Sequence, residues 1–232
     1  MNRLHGMMSV IILAGGRSRR MGSDKAFLLY RGRPFVSIIA QEMSKISNEI
    51  IVPIGKKDRR EFESILRDDH TLIINDEYDF GTPMSGMLTA FNYITNQYAA
   101  VVACDLPLVK SEVISLLYSR ASNHSGAVPK WPENGKPRVR DDESRIEPLC
   151  AVYNVSQARQ ATWEALKTGT VGCRHMVSLL ADVRYVDVTE LEVLDEALDS
   201  LTNINTIDDY FLLALRKNRG IVNVAILPNY SR

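Results

Sequence analysis

The loop at positions 13–25, here called the glycine-arginine loop, has residue types that favour phosphate binding. It carries three glycines and four cations against one acid: Gly15, Gly16 and Gly22; Arg17, Arg19, Arg20 and Lys25; and Asp24. Glycines let backbone N–H groups approach an anion, and neighbouring cations repel one another unless an anion is bound. The loop therefore predicts a triphosphate site, the alternative being a surface turn with solvated arginines. Its spacing fits neither the P-loop pattern GxxxxGKS/T nor the dinucleotide pattern GxGxxG.

A lone carboxylate, Asp105, closely follows an apolar run at positions 99–103. Proteins commonly hold Mg²⁺ through one or two carboxylates, with waters and substrate phosphates as its other ligands. Because ligands of open α/β folds bind at the carboxyl ends of the strands, the glycine-arginine loop and Asp105 are expected to lie together there. This pair predicts a site for a metal-bound triphosphate. The alternative for Asp105 is the cap of a turn or helix.

Short apolar runs alternate with helical patterns along the chain. Predicted strands cover 8–13, 49–52, 71–74, 99–103, 147–153 and 183–188; predicted helices begin at Pro34, Lys57, Pro83 and Ser111 and then cover 156–167 and 206–220. Strands separated by helices in this way form βαβ units and a parallel sheet with helices on both faces. The predicted fold class is α/β, a single Rossmann-like three-layer αβα domain with a mostly parallel sheet. We expect it to span residues 1–217, with a tail at 218–232.

Composition argues against several classes of protein. The 232 residues carry 28 Lys+Arg and 28 Asp+Glu, and this balance argues against a nucleic-acid or membrane-surface binder. Three widely spaced cysteines, Cys104, Cys150 and Cys173, form neither a disulfide framework nor a zinc site. No uncharged apolar stretch reaches the ~20 residues that span a bilayer, and no signal peptide is evident. We therefore expect a cytoplasmic protein.

The sequence resembles the nucleotidyltransferases that build nucleotide-sugars and related dinucleotides in three motifs: Leu13-Ala-Gly-Gly, Arg20-Met-Gly with Asp24-Lys25, and Cys104-Asp105-Leu-Pro. The Arg-Met-Gly form is most similar to that of the molybdenum cofactor guanylyltransferases. The resemblance extends from Val10 to about Leu215 and implies a fold like that of the nucleotide-diphospho-sugar transferases. It implies that the nucleotide is held by Leu13, Ala14, Gly15, Gly16, Lys25 and Asp105, that Arg20 and Gly22 face the nucleotide or a pterin acceptor, and that Asp105 holds Mg²⁺. Catalysis is then expected of Lys25, Arg20 and Asp105.

Further motifs extend the resemblance to the base and the acceptor. Asp76 matches a family acid that contacts guanine, since a carboxylate accepts from the guanine N1–H and amine together; the alternative is a turn residue. Gly86 belongs to Gly-Thr-Pro-Met-Ser-Gly, a shifted form of the family's Gly-Pro-Leu-x-Gly, and is expected at the acceptor. Asn203 and Asn205 match a family Asn-x-Asn-Thr that meets the acceptor, or that helps to hold metal through Asn205. Thr206 is expected to cap the last helix.

One departure from the family concerns the base. After the second strand the family often carries Asn-x-Asn, whose first amide helps to read the base, and this chain has Pro53-Ile-Gly55 instead. Proline has no amide side chain and no backbone donor. Base recognition is then expected to fall to Asp76 and to the backbone near Leu13 and Ala14.

Two segments in the second half of the chain each allow two interpretations. The strand at 147–153 lies either on the acceptor side of the site or at an edge of the sheet, where Pro148 would be tolerated. The preceding polar loop is basic and either forms a solvated face or receives an anionic acceptor. Its basic residues are Lys130, Lys136, Arg138, Arg140 and Arg145.

The resemblance implies Mg²⁺-dependent transfer of GMP from GTP to molybdenum-bound molybdopterin, with release of pyrophosphate. A protein that delivers molybdopterin is an implied partner. Within the same chemistry, the alternatives are CTP or another nucleotide as donor, and molybdopterin, a sugar phosphate or phospholactate as acceptor. An alternative of another class is a non-catalytic nucleotide- or cofactor-binding protein, which would have no need of Asp105.

Overall fold

A seven-stranded sheet with helices on both faces organises the residues that the computed structural model describes, namely 7–16, 24–67, 69–132, 145–170 and 172–215. The strands are β1 (Ser9–Leu13), β2 (Leu29–Tyr30), β3 (Arg33–Pro34), β4 (Ile50–Pro53), β5 (Thr71–Ile74), β6 (Tyr98–Ala103), β7 (Gly126–Lys130), β8 (Cys150–Asn154) and β9 (Val183–Asp187). The helices are α1 (Phe35–Met43), α2 (Arg59–Ile65), α3 (Pro83–Ala90), α4 (Ser111–Ala121), α5 (Val155–Lys167), α6 (Cys173–Ser178), α7 (Val188–Glu192) and α8 (Ile207–Leu215), with 3₁₀ turns at Lys25–Phe27 and Asp199–Leu201.

The main sheet has the strand order β5-β4-β1-β6-β8-β7-β9, and β2 and β3 form a separate hairpin. The strands β5, β4, β1 and β6 are mutually parallel, as are β7 and β9. Only β8 runs antiparallel to its neighbours among the described strands of this sheet. The predicted α/β class with a mostly parallel sheet is therefore confirmed.

The two faces of the sheet bury separate apolar clusters. Alternate residues of a strand point to opposite faces, so Val10 and Ile12 of β1 pack in one cluster with α1 and α4, and Ile11 packs in the other with α3 and α5. Every residue of β1 and of β6 is buried, which explains why both strands are continuous apolar runs. This arrangement confirms the expected three layers.

Strand β8 corrects one alternative from the sequence. The expectation of an edge strand at 147–153 is wrong, because β8 pairs with β6 on one side and with β7 on the other. Pro148 precedes β8, so its missing N–H removes no hydrogen bond from the ladder. The edge positions belong to β5 and β9.

The sequence patterns do not predict the β2–β3 hairpin, strand β7 or helices α6 and α7. The β2–β3 hairpin has two-residue strands and turns at Arg31 and Gly32, whose φ angles are 55° and 73°. Two-residue strands are too short to show an alternation of apolar and polar residues. Helices α6 and α7, with six and five residues, are likewise too short to show a helical period. Helix α1 begins at Phe35 and not at Pro34, because the ψ of 142° at Pro34 is extended. The predicted helix end at Gly220 and the tail at 218–232 lie outside the described residues.

The three cysteines are free thiols. Burial raises the pKa of Cys104 to about 12 and that of Cys173 to about 11, and it raises the pKa of Cys150 as well. At neutral pH these thiols are therefore protonated, and Cys104 and Cys150 pack as small apolar side chains.

None of the helices in the described parts of the chain has the length and apolar character needed to cross a membrane.

Gly126, at the start of β7, leaves no room for a side chain. A Cβ atom there would lie 2.6 Å from the carbonyl oxygen of Val152 and 2.9 Å from the ring of Tyr153. We expect Gly126→Ala to lower the free energy of unfolding by about 1–3 kcal/mol in urea titrations, the usual cost of overpacking. Gly172→Ala is the control, because nothing lies within 4 Å of a Cβ at that glycine. Equal losses for the two variants would contradict this prediction.

Candidate functional site

Lys25 and Asp105 meet where β1 and β6 end. Leu13 and Ala103 are partners at the last position of the parallel ladder, so the chain leaves both strands at one edge of the sheet. The Nζ of Lys25 lies 2.9 Å from Oδ2 of Asp105, and the two side chains are 16% and 18% exposed. The expectation that these residues share one edge of the sheet is confirmed.

The backbone next to Lys25 is held by a cap. The carboxylate of Asp24 accepts a hydrogen bond from the backbone N–H of Ala26 at 3.1 Å and so caps the 3₁₀ turn Lys25–Phe27. Asp24 also forms an ion pair with Lys57 at 2.6 Å. Lys25 therefore starts from a fixed position at the end of the glycine-arginine loop.

Asp105 presents one oxygen to Lys25 and buries the other. Its Oδ1 is buried and has no hydrogen-bond partner among the residues that the structure describes. Its backbone carbonyl accepts from the N–H of Ile204 at 2.9 Å. Within the described chain the carboxylate caps no backbone N–H, which argues against the alternative of a turn or helix cap.

The segment before α8 contacts the Lys25–Asp105 pair. Oδ1 of Asn205 accepts a hydrogen bond from Nζ of Lys25 at 2.7 Å. Thr206 and Asp209 exchange hydrogen bonds at the start of α8, with Thr206 Oγ1 accepting from the N–H of Asp209 at 3.1 Å, so the expected cap is confirmed. Asn203 lies two residues before Asn205 and is half-buried. The structure therefore brings Asn205 to the carboxylate and lysine of the site.

The loops after β4 and β5 form the opposite side of the site. The N–H of Gly55 donates to Oδ1 of Asp76 at 2.9 Å, and the N–H of Ala14 donates to the carbonyl of Pro53 at 3.0 Å. A Cβ on Gly15 would lie 2.8 Å from the backbone nitrogen of Gly55, so only glycine allows the two backbones to pass at this distance. The backbone that is predicted to hold the nucleotide is thus packed directly against the segment that carries Pro53 and Gly55.

Asp76 has a perturbed carboxyl group. Burial raises its pKa above the usual 3.8, and the nearby Asp79 adds to the effect, while the N–H of Gly55 and the charge of Lys57 oppose it. Its bond to Gly55 joins two different loops, which a local turn residue would not do. A carboxylate at this position is suited to accept hydrogen bonds from the polar edge of a base.

Gly86 lies on α3 in a packed position. A Cβ there would lie 3.3 Å from the side chains of Leu13 and Pro53, so the missing side chain lets α3 approach the ends of β1 and β4. Gly86 itself is buried. Its expected contact with the acceptor stays a prediction.

Several predicted residues lie outside the described part of the chain: Arg17, Arg19, Arg20, Gly22, Lys136, Arg138 and Arg140. Gly16 is described and exposed at the edge of the loop. Two members of the basic segment make contacts within the fold. Nζ of Lys130 lies 5.6 Å from the ring centre of Tyr185, and Arg145 donates to the carbonyl of Pro132 at 2.6 Å.

Lys57 is the residue that sequence reasoning missed at this site. It was assigned only to the start of a helix, yet it follows β4, which runs parallel to β1 and ends at the same edge of the sheet. Its side chain is 20% exposed and reaches both Asp24 and the carbonyl oxygen of Ala14. Asp105 was located by the argument that residues following parallel strands meet at one edge of the sheet. The same argument applies to Lys57, because the strand that precedes it, β4, was predicted.

A separate concavity of about 380 Å³ lies beside α5. Its lining residues are Tyr78, Leu88, Ser156, Arg159, Gln160 and Trp163. None of them is a predicted site residue, so this concavity adds nothing to the chemistry of the Lys25–Asp105 pair.

Comparisons with known proteins show the family of this chain. The family model described as the MobA-like NTP transferase domain matches residues 10–186. A relative from Haloferax mediterranei, described as a probable molybdenum cofactor guanylyltransferase, is 31% identical over 208 residues that cover 89% of this chain and 93% of the relative.

Two solved structures share the fold. Molybdopterin-guanine dinucleotide biosynthesis protein A from Archaeoglobus fulgidus aligns with a TM-score of 0.71 and 25% identity, over 88% of this chain and 96% of that chain. The 2-C-methyl-D-erythritol 4-phosphate cytidylyltransferase from Thermus thermophilus aligns with a TM-score of 0.63 and 16% identity, over 89% and 97% of the two chains. These alignments confirm the α/β fold expected of nucleotide-diphospho-sugar transferases.

Proposed function

Since the chain belongs to the MobA-like NTP transferase family and is a nucleotidyltransferase, we propose that it transfers GMP from GTP to molybdenum-bound molybdopterin. The products are the molybdopterin guanine dinucleotide cofactor and pyrophosphate. The names of the relative from Haloferax mediterranei and of the structure from Archaeoglobus fulgidus support this choice of donor and acceptor. A protein that delivers molybdopterin is part of the proposal.

The observation that carries the proposal is the contact between Lys25 and Asp105 at the edge of the sheet where β1 leads into Gly15. An ammonium, a carboxylate and close-packed glycine backbone at one edge of a sheet are the groups that a metal-bound triphosphate needs. Leu13, Ala14, Gly15 and Gly16 would line the nucleotide on the β1 side.

The residues present fit a magnesium ion. The buried Oδ1 of Asp105 is a hard oxygen without a hydrogen-bond partner in the described chain, which is a suitable ligand for Mg²⁺. Within the described ranges no three His, Cys, Asp or Glu side chains form a group that could hold a metal. Asp105 would hold Mg²⁺, with the amide oxygen of Asn205 as a second ligand. When bound, the ion would neutralise charge on the phosphate oxygens.

The proposed step is an in-line displacement at the α-phosphorus. A phosphate oxygen of the acceptor forms the new bond, and the bond from the α-phosphorus to the bridging oxygen of the β-phosphate breaks, so pyrophosphate leaves with that electron pair. The attacking phosphate is already anionic, so no strong general base is required. Lys25 and Arg20 contribute positive charge where negative charge develops, and the loop backbone holds the reactants in position.

The acceptor would bind from the side of Asn205. This residue is fixed to Lys25 at 2.7 Å, so a group that contacts its amide would lie close to the reacting phosphates. Asn203, Gly22 and Gly86 are the other residues proposed for the acceptor. The base would meet Asp76 and the backbone of Leu13 and Ala14.

Pyrophosphate release tests the donor directly. We expect GTP to give the highest kcat/KM with molybdenum-bound molybdopterin and Mg²⁺, compared with CTP, UTP and ATP under the same conditions. A preference for CTP would overturn the choice of GTP and would follow from Pro53 in place of the family asparagine. Nucleotide binding without any metal-dependent turnover would favour a non-catalytic binding protein.

The titration of Asp76 gives a pH-dependent prediction. Only the ionised carboxylate accepts both hydrogen bonds of guanine, and burial raises the pKa of this group, so GTP recognition should weaken at a higher pH than for an ordinary aspartate. We expect wild-type kcat/KM for GTP to exceed that of Asp76→Asn by about tenfold near neutral pH. This ratio should fall towards one as pH is lowered through the pKa of Asp76. Because wild type and Asp76→Asn use the same GTP, titration of the triphosphate affects both kcat/KM values equally and cancels in their ratio. A ratio that does not change with pH would contradict the role of Asp76 in recognising the base.

A further inference from the structure

Lys57 joins the two ends of the glycine-arginine loop. Its Nζ donates to the carbonyl oxygen of Ala14, where the loop leaves β1, and lies 2.6 Å from Oδ2 of Asp24, next to Lys25. The side chains of Lys57 and Asp24 are 20% and 25% exposed, so water screens this pair only in part. One ammonium thus fixes the separation between the two ends of the segment predicted to hold phosphates.

We propose that Lys57 is a positioning residue for the nucleotide phosphates, an inference that rests on the proposed function. It holds Ala14 and Asp24 together, and it neutralises Asp24 so that this carboxylate does not repel the triphosphate. Lys57 acts through these two groups and not by contact with the reacting atoms.

Asp24 explains why such a cation is needed. It is the only acid among residues 13–25, and its Oδ1 caps the turn that begins with Lys25. The fold therefore places a negative charge beside the site for an anionic ligand. Its second oxygen is taken by Lys57, whose positive charge offsets that negative charge.

The neighbouring residue Lys56 provides a matched comparison. It carries the same charge, but its side chain is 71% exposed and pairs with Asp79, which is also well exposed, at 3.0 Å. Lys57 instead lies with its Nζ 5.9 Å from the ring centre of Phe62. Methionine at position 57 nearly keeps the length of the side chain beside Phe62 while it removes the charge.

The test measures the Kd of GTP with Mg²⁺ by isothermal titration calorimetry, and kcat by pyrophosphate release. For Lys57→Met we expect Kd to rise about tenfold, the effect of one lost hydrogen bond between charged groups, with kcat changed by less than about threefold. Lys56→Met should leave Kd within about twofold, because exposed ion pairs contribute little. Asp24→Asn combined with Lys57→Met should recover part of the lost affinity, because asparagine still caps the turn and carries no charge.

The outcomes separate positioning from stability. An unchanged Kd in Lys57→Met, or a double variant that binds no better than Lys57→Met, would overturn the proposal, since a purely structural lysine predicts no rescue. A double variant whose Kd lies within about twofold of wild type would also overturn the proposal, because the contact of Lys57 with Ala14 would then have no effect on binding. This criterion carries the test alone if thermal melting shows that Lys57→Met does not fold. A wild-type protein that binds no nucleoside triphosphate would overturn the proposed function, and this inference with it.

Discussion

Asp105→Asn is expected to lower kcat for pyrophosphate release by about 10³-fold, whereas the free energy of unfolding should fall by only about 1–3 kcal/mol. Asparagine keeps the shape of the side chain and an oxygen that can accept from Lys25, but it removes the negative charge proposed to hold Mg²⁺. Loss of charge stabilisation at one point of a phosphoryl-type transition state has an effect of this order. Because Oδ1 of Asp105 has no hydrogen-bond partner in the described chain, the substitution breaks no hydrogen bond at that atom, and the stability cost comes from the lost charge and from an amide group that finds no acceptor there.

Asp182→Asn is the control for this result. Asp182 also pairs with a basic side chain, His124, at 2.9 Å, and it directly precedes β9, away from the ends of β1 and β6. Its kcat should stay within about twofold of wild type, because exposed pairs contribute little. Near-normal turnover by Asp105→Asn at saturating Mg²⁺ would remove the metal role from this carboxylate.

Lys25→Met is expected to lower kcat/KM for the nucleotide by about 10²- to 10³-fold. Methionine fills the same space but offers no charge to the phosphates. The free energy of unfolding should also fall by about 1–3 kcal/mol, since Lys25 donates to Asp105 and to Asn205 in a mostly buried position. Steady-state kinetics and urea titration measure the two effects separately.

Lys110→Met separates lost stability from lost function. Lys110 forms an ion pair with Asp195 at the same distance of 2.9 Å, and the carboxylate of Asp195 is 2% exposed. This variant should lose stability to a comparable degree while kcat/KM stays within about threefold, because its charge lies outside the site. Equal kinetic losses in Lys25→Met and Lys110→Met would show that Lys25 acts through stability alone.

The sequence by itself determined the sheet edge at which the site lies. Continuous apolar runs predicted β1 and β6, and the residues that follow them, the glycine-arginine loop and Asp105, had to leave the sheet together once the strands were parallel. Strand periodicity and strand-end chemistry depend on residues only a few positions apart. For that reason the fold class and the placement of Lys25 and Asp105 at one edge of the sheet were accessible before any coordinates, whereas their direct ion pair was not.

Only the tertiary structure decided which contacts distant side chains make at the site. The family resemblance implied a role for Asn205, but its hydrogen bond to Lys25 spans 180 positions of the chain, and Lys57 reaches back from β4 to Asp24 and Ala14. The internal, antiparallel position of β8 was likewise decided only by the tertiary structure. These contacts depend on how separate segments pack over the two faces and ends of the sheet, and local periodicity carries no information about that packing.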